Sequence, residues 1–357
     1  MKKELSEIEI ENTEEDGELY VEYDIATYPS DNTLSVLKNQ WIEQDIEIPD
    51  FQRGFVWTIK QSSLLIESFL RGLPVPPLFF FIDTDNKGLV VDGQQRLRSV
   101  LYFFEGFFGE ESKSGRRRVF KLTGLNERSP YEGKTYKELN DVDKRKLDTA
   151  VLRAVNIRQL SPTRDKSSVY HIFERLNTGG TPLSPQEIRN TVYRGKIVTL
   201  LHEANDDSSW RELIGKPEPD KRDRDTEMVL RLLSLYVKRD KYESPMKRFL
   251  NDTMAENRNT QNSRANSFFR QFSDVSSFII TDIGRDIFRP KGPLNIAALD
   301  AIFVAIMHLG IKNLVNPKQK IERLLADPAF EDLYNARTAD TDIVRKRLSM
   351  ALTALSK

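Results

Sequence analysis

The sequence predicts an α+β protein, in which a small α/β unit is followed by a mostly α-helical region. Three observations carry that prediction. Apolar runs of strand length, at Ile46 to Ile48, Leu78 to Ile82 and Leu89 to Val91, alternate with amphipathic helical patterns early in the chain. From Ser161 onward nearly every stretch has helical spacing instead, as at Val169, Ile172, Phe173 and Leu176, and again at Val229, Leu232, Leu233 and Tyr236. A hydrophobic content of 39% beside 30% charged residues, over 357 residues, suits a well-packed soluble chain of one large domain or two ordinary ones.

Taken in order, residues 1 to about 30 read as a polar arm with one alternating stretch around Leu19 to Ile25. Asp31 to Thr33 cap a helix through Trp41, with Leu34, Leu37 and Trp41 on one face. Ile46 to Pro49 is a short strand. Thr58 caps the second helix, in which Leu65 with Phe69 and Ile66 with Leu70 form apolar pairs, and Gly72 ends it. Pro74-Val75-Pro76-Pro77 is too proline-rich for helix or central strand. Leu78 to Ile82, a turn over Asp83 to Gly88 and a returning strand form a hairpin. The returning strand runs straight into a helix carrying Leu97, Val100, Leu101 and Phe104. Glu110 to Arg118 is a charged excursion, Val119 to Leu122 a strand, Asn140 to Thr149 a helix and Ala150 to Ile157 a strand. Beyond that, Asn205 to Ser209 and Gly215 to Arg224 read as loops, and Asn257 to Asn266 as a polar connection.

Composition excludes several chemistries. With no cysteine there is no disulfide, thiolate metal site or cysteine nucleophile. Lys+Arg and Asp+Glu both number 54, so no global field recruits nucleic acid or membrane. The acidic N-terminus has no apolar core of a signal peptide, which makes the cytoplasm the expected location. Ile296 to Leu309, the most apolar run, is interrupted by Asp300 and falls short of the roughly 20 residues of a membrane span, so it is expected to be a buried helix. His171, His202 and His308 lie far apart without metal-binding spacing, and His308 reads as a core histidine. The basic runs Arg116-Arg117-Arg118 and Lys221-Arg222-Asp223-Arg224 read as solvated faces, with contact to a nucleic-acid backbone as the alternative.

The chemistry concentrates at Asp92-Gly93-Gln94-Gln95-Arg96, where a strand turns into a helix. A helix N-terminus attracts phosphate through its unpaired N–H groups and dipole. Here it also carries two amides and a permanently charged fork, with an acid just before them for a metal ion or a proton. The bland alternative is that Asp92 only caps the helix and Arg96 is solvated. Three further stretches are candidates. Gln52-Arg53 is a polar pair in an apolar neighbourhood, facing either water or a polar ligand. Asn177-Thr178-Gly179-Gly180 is equally how one helix ends before another. Glu187 and Arg189 do not face each other on a helix, which argues against a salt bridge between them.

The order of Gln52-Arg53, helix, proline-rich turn, hairpin and Gly-x-x-Arg turn resembles the ParB/sulfiredoxin-like fold. More closely, Ile48 to Trp57 with Asp92 to Arg96 resembles the N-terminal domain of the GmrSD restriction endonuclease family. Phe173 to Thr181 and Glu187-Ile188-Arg189-Asn190 match that family as well. The residues thus predict a polar arm over 1–30 and a helical domain over 161–357, and the resemblance implies that 31–160 is a ParB/sulfiredoxin-like nucleotide-binding domain. It implies a Mg²⁺-dependent NTPase of a bacterial anti-phage, modification-dependent restriction system. Asp92 and Gln95 would be catalytic, with Asp92 also the metal ligand. Gln52, Arg53, Gly93, Gln94, Arg96, Asn177, Thr178 and Gly179 would bind the nucleotide. Restriction members pair this domain with a histidine–metal (HNH-like) nuclease, which needs a histidine to activate water. After residue 309 the chain has none, so a standalone member with a separate nuclease subunit is expected. DNA and a second copy of the chain are further expected partners. The alternatives are a nucleotide-bound switch or DNA-binding module without turnover, and a phosphotransferase on the same fold.

Overall fold

The computed structural model describes residues 23–48, 55–83, 85–110, 115, 117–161, 167–176, 183–289 and 292–356. The chain divides into two compact units, one over Glu22–Leu183 and one containing Ser184–Lys357. The break thus falls one helix beyond residue 160, because helix α5 (Ser167–Leu176) packs with the strands before it.

The first unit is built on a five-stranded mixed sheet. Its strands are β1 (Asp24–Thr33), β2 (Ile46–Glu47), β3 (Leu78–Ile82), β4 (Gly88–Asp92) and β7 (Val151–Ser161), in the order β1-β7-β3-β4-β2. β1 and β7 run antiparallel, β7 and β3 parallel, β3 and β4 antiparallel, and β4 and β2 parallel. The β3–β4 hairpin is closed by Asp83, whose Oδ1 accepts from the N–H groups of Asp85 and Lys87 at 2.9 and 2.8 Å. β1 replaces the end of the expected polar arm. Pro29, Asp31 and Asn32 disguise it in the sequence, and they are tolerated because β1 is an edge strand.

Helices α1 (Leu34–Ile42), α2 (Ile59–Arg71), α3 (Gln94–Glu105) and α4 (Asp141–Thr149) complete the unit with α5. Thr58 and Gln61 form a capping box at the start of α2, and Gly72 ends that helix at φ 71°. α2 and α3 meet through fully buried Ser62 and Ser99, whose hydroxyls lie 2.9 Å apart. Two small side chains at that crossing let the helices approach closely, while Ser99 also satisfies the Gln95 carbonyl at 2.7 Å. The strand expected over Val119 to Leu122 shrinks to β6 (Arg118–Val119), paired with β5 (Phe107–Phe108). Phe120 and Leu122 are drawn instead into the core, fully buried, with their N–H groups on the carbonyls of Gly106 and Lys134.

The second unit is helical: α6 (Pro185–Val192), α7 (Lys196–Asn205), α8 (Ser208–Ile214), α9 (Arg224–Lys238), α10 (Met246–Glu256), α11 (Ser263–Phe278), α12 (Ile296–Leu309), α13 (Pro317–Leu325), α14 (Pro328–Asn335) and α15 (Thr341–Ser356). α12 is its buried centre, with Ala297 to Met307 all inside and Asp300 held by Arg231 of α9 at 2.8 Å. Among the described residues no helix is long and apolar enough to cross a membrane. The polar connection expected over Asn257 to Asn266 ends early, because Asn262 accepts from Arg264 N–H and starts α11 at Ser263. The Arg258 carbonyl lies so near Gly195 that a Cβ there would approach it to 2.5 Å.

Candidate functional site

Asp92 to Arg96 fall where the sheet ends. β2 runs parallel to β4 and β3 antiparallel, so the end of β2, the end of β4 and the start of β3 share this edge. The proline run Pro74–Pro77 enters β3 there. Gly93 makes the bend at φ 94° and ψ 13°, and a Cβ on it would sit 2.4 Å from Leu78 Cδ2. Backbone conformation and space therefore both require glycine. α3 begins without a side-chain cap, its first intrahelical bond running from Leu97 N–H to Gly93 O at 3.0 Å. Its positive end and first-turn N–H groups therefore lie where β4 ends.

Each polar side chain of the motif has a definite place. Arg96 Nη2 donates to Asp92 Oδ2 at 2.7 Å, while Nη1 donates to the carbonyls of Pro76 and Pro77 at 2.6 and 2.7 Å. Arg96 is thus a strut between the acid and the proline turn, with 14% of its side chain exposed against 39% for Asp92. Asp92 Oδ1 has no hydrogen-bond partner among the described residues. Gln95 Oε1 accepts from the N–H groups of Val56 and Trp57 at 3.0 and 3.2 Å, fixing the segment that leads into α2. Gln94 differs from both: its Oε1 is buried and unpartnered among the described residues. An orphaned buried amide oxygen costs about 1–3 kcal/mol and points to a ligand, ion or water that completes it.

The structure therefore brings Asp92, Gly93, Gln94, Gln95 and Arg96 together. Gln52, Arg53, Asn177, Thr178 and Gly179 lie outside the described residues. The sequence does not announce the backbone partners at Val56, Trp57, Pro76 and Pro77, because main-chain donors and acceptors leave no residue-type signature.

The Glu187 to Asn190 stretch lies in the helical unit, and it is interior. Glu187 closes a capping box, accepting from Ser184 N–H at 2.5 Å. Burial raises its pKa, against the lowering effect of Ser184 and Arg222. Arg189, 2% exposed, donates to Asn251 Oδ1 at 2.8 Å and Glu227 Oε2 at 2.7 Å. Asn190 donates to Asp223 Oδ2 at 2.9 Å, and Asp223 Oδ1 lies 3.3 Å from His202 Nε2. That hydrogen bond raises the His202 pKa against burial. The basic run at Lys221 to Arg224 is consequently no simple solvated face. The Arg222 carbonyl accepts from Ser184 Oγ at 2.6 Å, and Asp223 turns inward at φ 55°. His308 is a correction in the other direction. It is exposed at the end of α12, its ring stacked on Tyr236 at 4.7 Å, since the helix's last turn leaves the core. Among the described residues no group of three or more His, Asp or Glu side chains could hold a metal ion.

Residues 34–194 match one protein family model, the GmrSD restriction endonuclease, N-terminal domain. No curated protein matches the chain.

Proposed function

We propose, from the match of residues 34–194 to the GmrSD N-terminal domain, that this protein is the nucleotide-dependent component of a restriction system, binding and hydrolysing a nucleoside triphosphate at the end of β4. The observation that carries the reading is the orphaned Gln94 Oε1 in the first turn of α3, two residues after Asp92 in the chain. Gly93 makes the bend that turns β4 into α3, and the first turn of α3 supplies N–H donors and a positive dipole for the triphosphate. Gln52 and Arg53, which follow β2 in the sequence, are the proposed second wall of the pocket. Asn177, Thr178 and Gly179 are the proposed cover.

Asp92 Oδ1 and Gln94 Oε1 are hard oxygen donors, and they fit Mg²⁺, which takes one or two protein oxygens and fills its shell with water and phosphate. Bound there, Mg²⁺ would neutralise charge on the phosphates. Asp92 itself holds that ion or accepts a proton from the attacking water. Arg96 keeps the Asp92 carboxylate in place and lends its charge. Gln95 holds the loop before α2 against the site, so its catalytic part is positional. The proposed partners are a separate histidine–metal nuclease subunit, DNA and a second copy of the chain. A nucleotide switch without turnover is the second reading, favoured by the grip of Arg96 on Asp92 Oδ2.

Calorimetric titration of the four NTPs with Mg²⁺, with phosphate release read on the same samples, tests this. Wild type should bind one or more NTPs and release phosphate. Asp92→Asn should bind within about tenfold of wild type and lose release by a hundredfold or more, as expected for a group used in the chemical step. Binding without release in wild type selects the switch. Wild-type transfer of phosphate to an added acceptor selects the phosphotransferase, and absence of binding removes the nucleotide from the function.

A further inference from the structure

The helical unit holds a polar cavity of about 510 Å³ that no part of the proposed reaction uses. It lies where α9 ends, α11 begins and α12 ends, and a turn at Arg239–Lys241 forms one wall. Its volume is that of a small-molecule site. Its lining combines two features. One is the stacked pair Tyr236 and His308, ring centroids 4.7 Å apart and 29° from parallel, with His308 outermost. The other is the cation set Lys238, Arg239, Lys241 and Arg264, against only Asp240 and Glu256.

The charges are not cancelled within the cavity. Lys238 is tied to Glu256 at 2.6 Å and Arg239 to its neighbour Asp240 at 3.1 Å. Lys241 and Arg264 have no carboxylate partner among the described residues. Arg264 Nη1 makes a 3.3 Å bond to the Val237 carbonyl, which aims the fork without neutralising it. A second cavity of about 220 Å³ adjoins the first across Arg239 and Asp240 and adds Arg345. Cations and ring also share one space: the His308 pKa is lowered by lost hydration and by Arg239 and Arg264.

We propose that this cavity binds a nucleoside phosphate, its base stacked on His308 and its phosphate held by Arg264 and Lys241. The ring pair supplies a sequence-tolerant platform, and base–aromatic stacking with adjacent arginine is how nucleotides and unpaired strands are held. The N-terminus of α11, capped by Asn262, adds its dipole to the phosphate side. A free mononucleotide and the phosphorylated end of a strand present the same chemistry, and the adjoining cavity at Arg345 gives a strand room to continue.

The test uses the full chain and three probes without Mg²⁺: adenosine 5′-monophosphate, a 5′-phosphorylated tetradeoxynucleotide and inorganic phosphate. Binding is read by calorimetry and by the His308 ring resonances, one set among three histidines. The nucleotide should shift the His308 resonances and raise its titration midpoint, since an anion favours the charged ring. Arg264→Ala should weaken binding about tenfold or more, the value of a hydrogen bond to a charged group. His308→Ala should weaken the nucleotides about tenfold but leave inorganic phosphate within twofold. Tighter binding of the tetranucleotide, lost in Arg345→Ala, identifies a strand end as the ligand; equal binding identifies the mononucleotide. Unmoved His308 resonances at millimolar probe overturn the proposal. So does binding that Arg264→Ala and His308→Ala both leave intact, which assigns the nucleotide to another site.

Discussion

Gly93 shows how narrowly the site is drawn at the scale of one residue. Its φ of 94° and the 2.4 Å approach of a would-be Cβ to Leu78 Cδ2 are separate obstacles to any side chain. Gly93→Ala should cost about 2–4 kcal/mol, adding backbone strain to overpacking. Urea unfolding checks it, and in a double-mutant cycle Gly93→Ala should cost less in a Leu78→Ala background, where the space is open, although Leu78→Ala is itself destabilising. The other motif residues divide their atoms between neighbours: Arg96 is bound at Nη1 and Nη2, Gln95 at Oε1, while Gln94 keeps a buried oxygen with no donor among the described residues.

Among the elements, α6 is the most unusual, because every residue from Gln186 to Val192 is buried although most are polar. Its register is set by side chains and not by an apolar stripe. Arg189 reaches α9 through Glu227 and α10 through Asn251. Arg189→Leu removes the donor of a carboxylate that is 9% exposed, and should cost about 3–5 kcal/mol by urea denaturation. The double variant Arg189→Leu with Glu227→Leu should recover much of it, because no charge is then stranded. Helix periodicity made α2, α3 and α9 readable in the sequence, since their apolar residues recur at 3.6, while α12 was readable from its unbroken apolar length. It could not announce β1, where Pro29 and Asn32 speak against a strand and only the β7 ladder overrules them. Nor could it join His202 to Asp223, a pairing made by tertiary approach of α7 and the start of α9. The Asp92 to Arg96 turn was legible because strand, glycine and helix are contiguous there; its proline and Val56–Trp57 partners were not.

At the scale of the whole molecule, equal totals of 54 basic and 54 acidic residues conceal an uneven use of charge. In the helical unit many are interior: Arg211 with Asp225, Arg189 with Glu227 and Arg231 with Asp300 are ion pairs of 2.7 to 2.8 Å. Two titrating groups there, His202 and Glu187, have pKa values raised on folding. The folded unit then binds more protons than the unfolded chain, so the His202 contribution is complete below its ordinary 6.5 and is lost as pH rises through its higher folded value. Thermal unfolding across neutral pH should show this contribution level below 6.5 and falling above it, and His202→Gln should flatten that fall. The grip of Arg96 on Pro76 and Pro77, and of Gln95 on Val56 and Trp57, has a practical consequence for mutagenesis. Alanine at either position unfastens a loop as well as deleting a polar group, so inactivity would not distinguish a lost reagent from a lost hinge pin. Gln95→Glu, which keeps the acceptor oxygen and so the fastening, is the swap whose kinetics can be interpreted, whereas Arg96→Lys keeps the charge but not the fork that spans Asp92 and the proline turn.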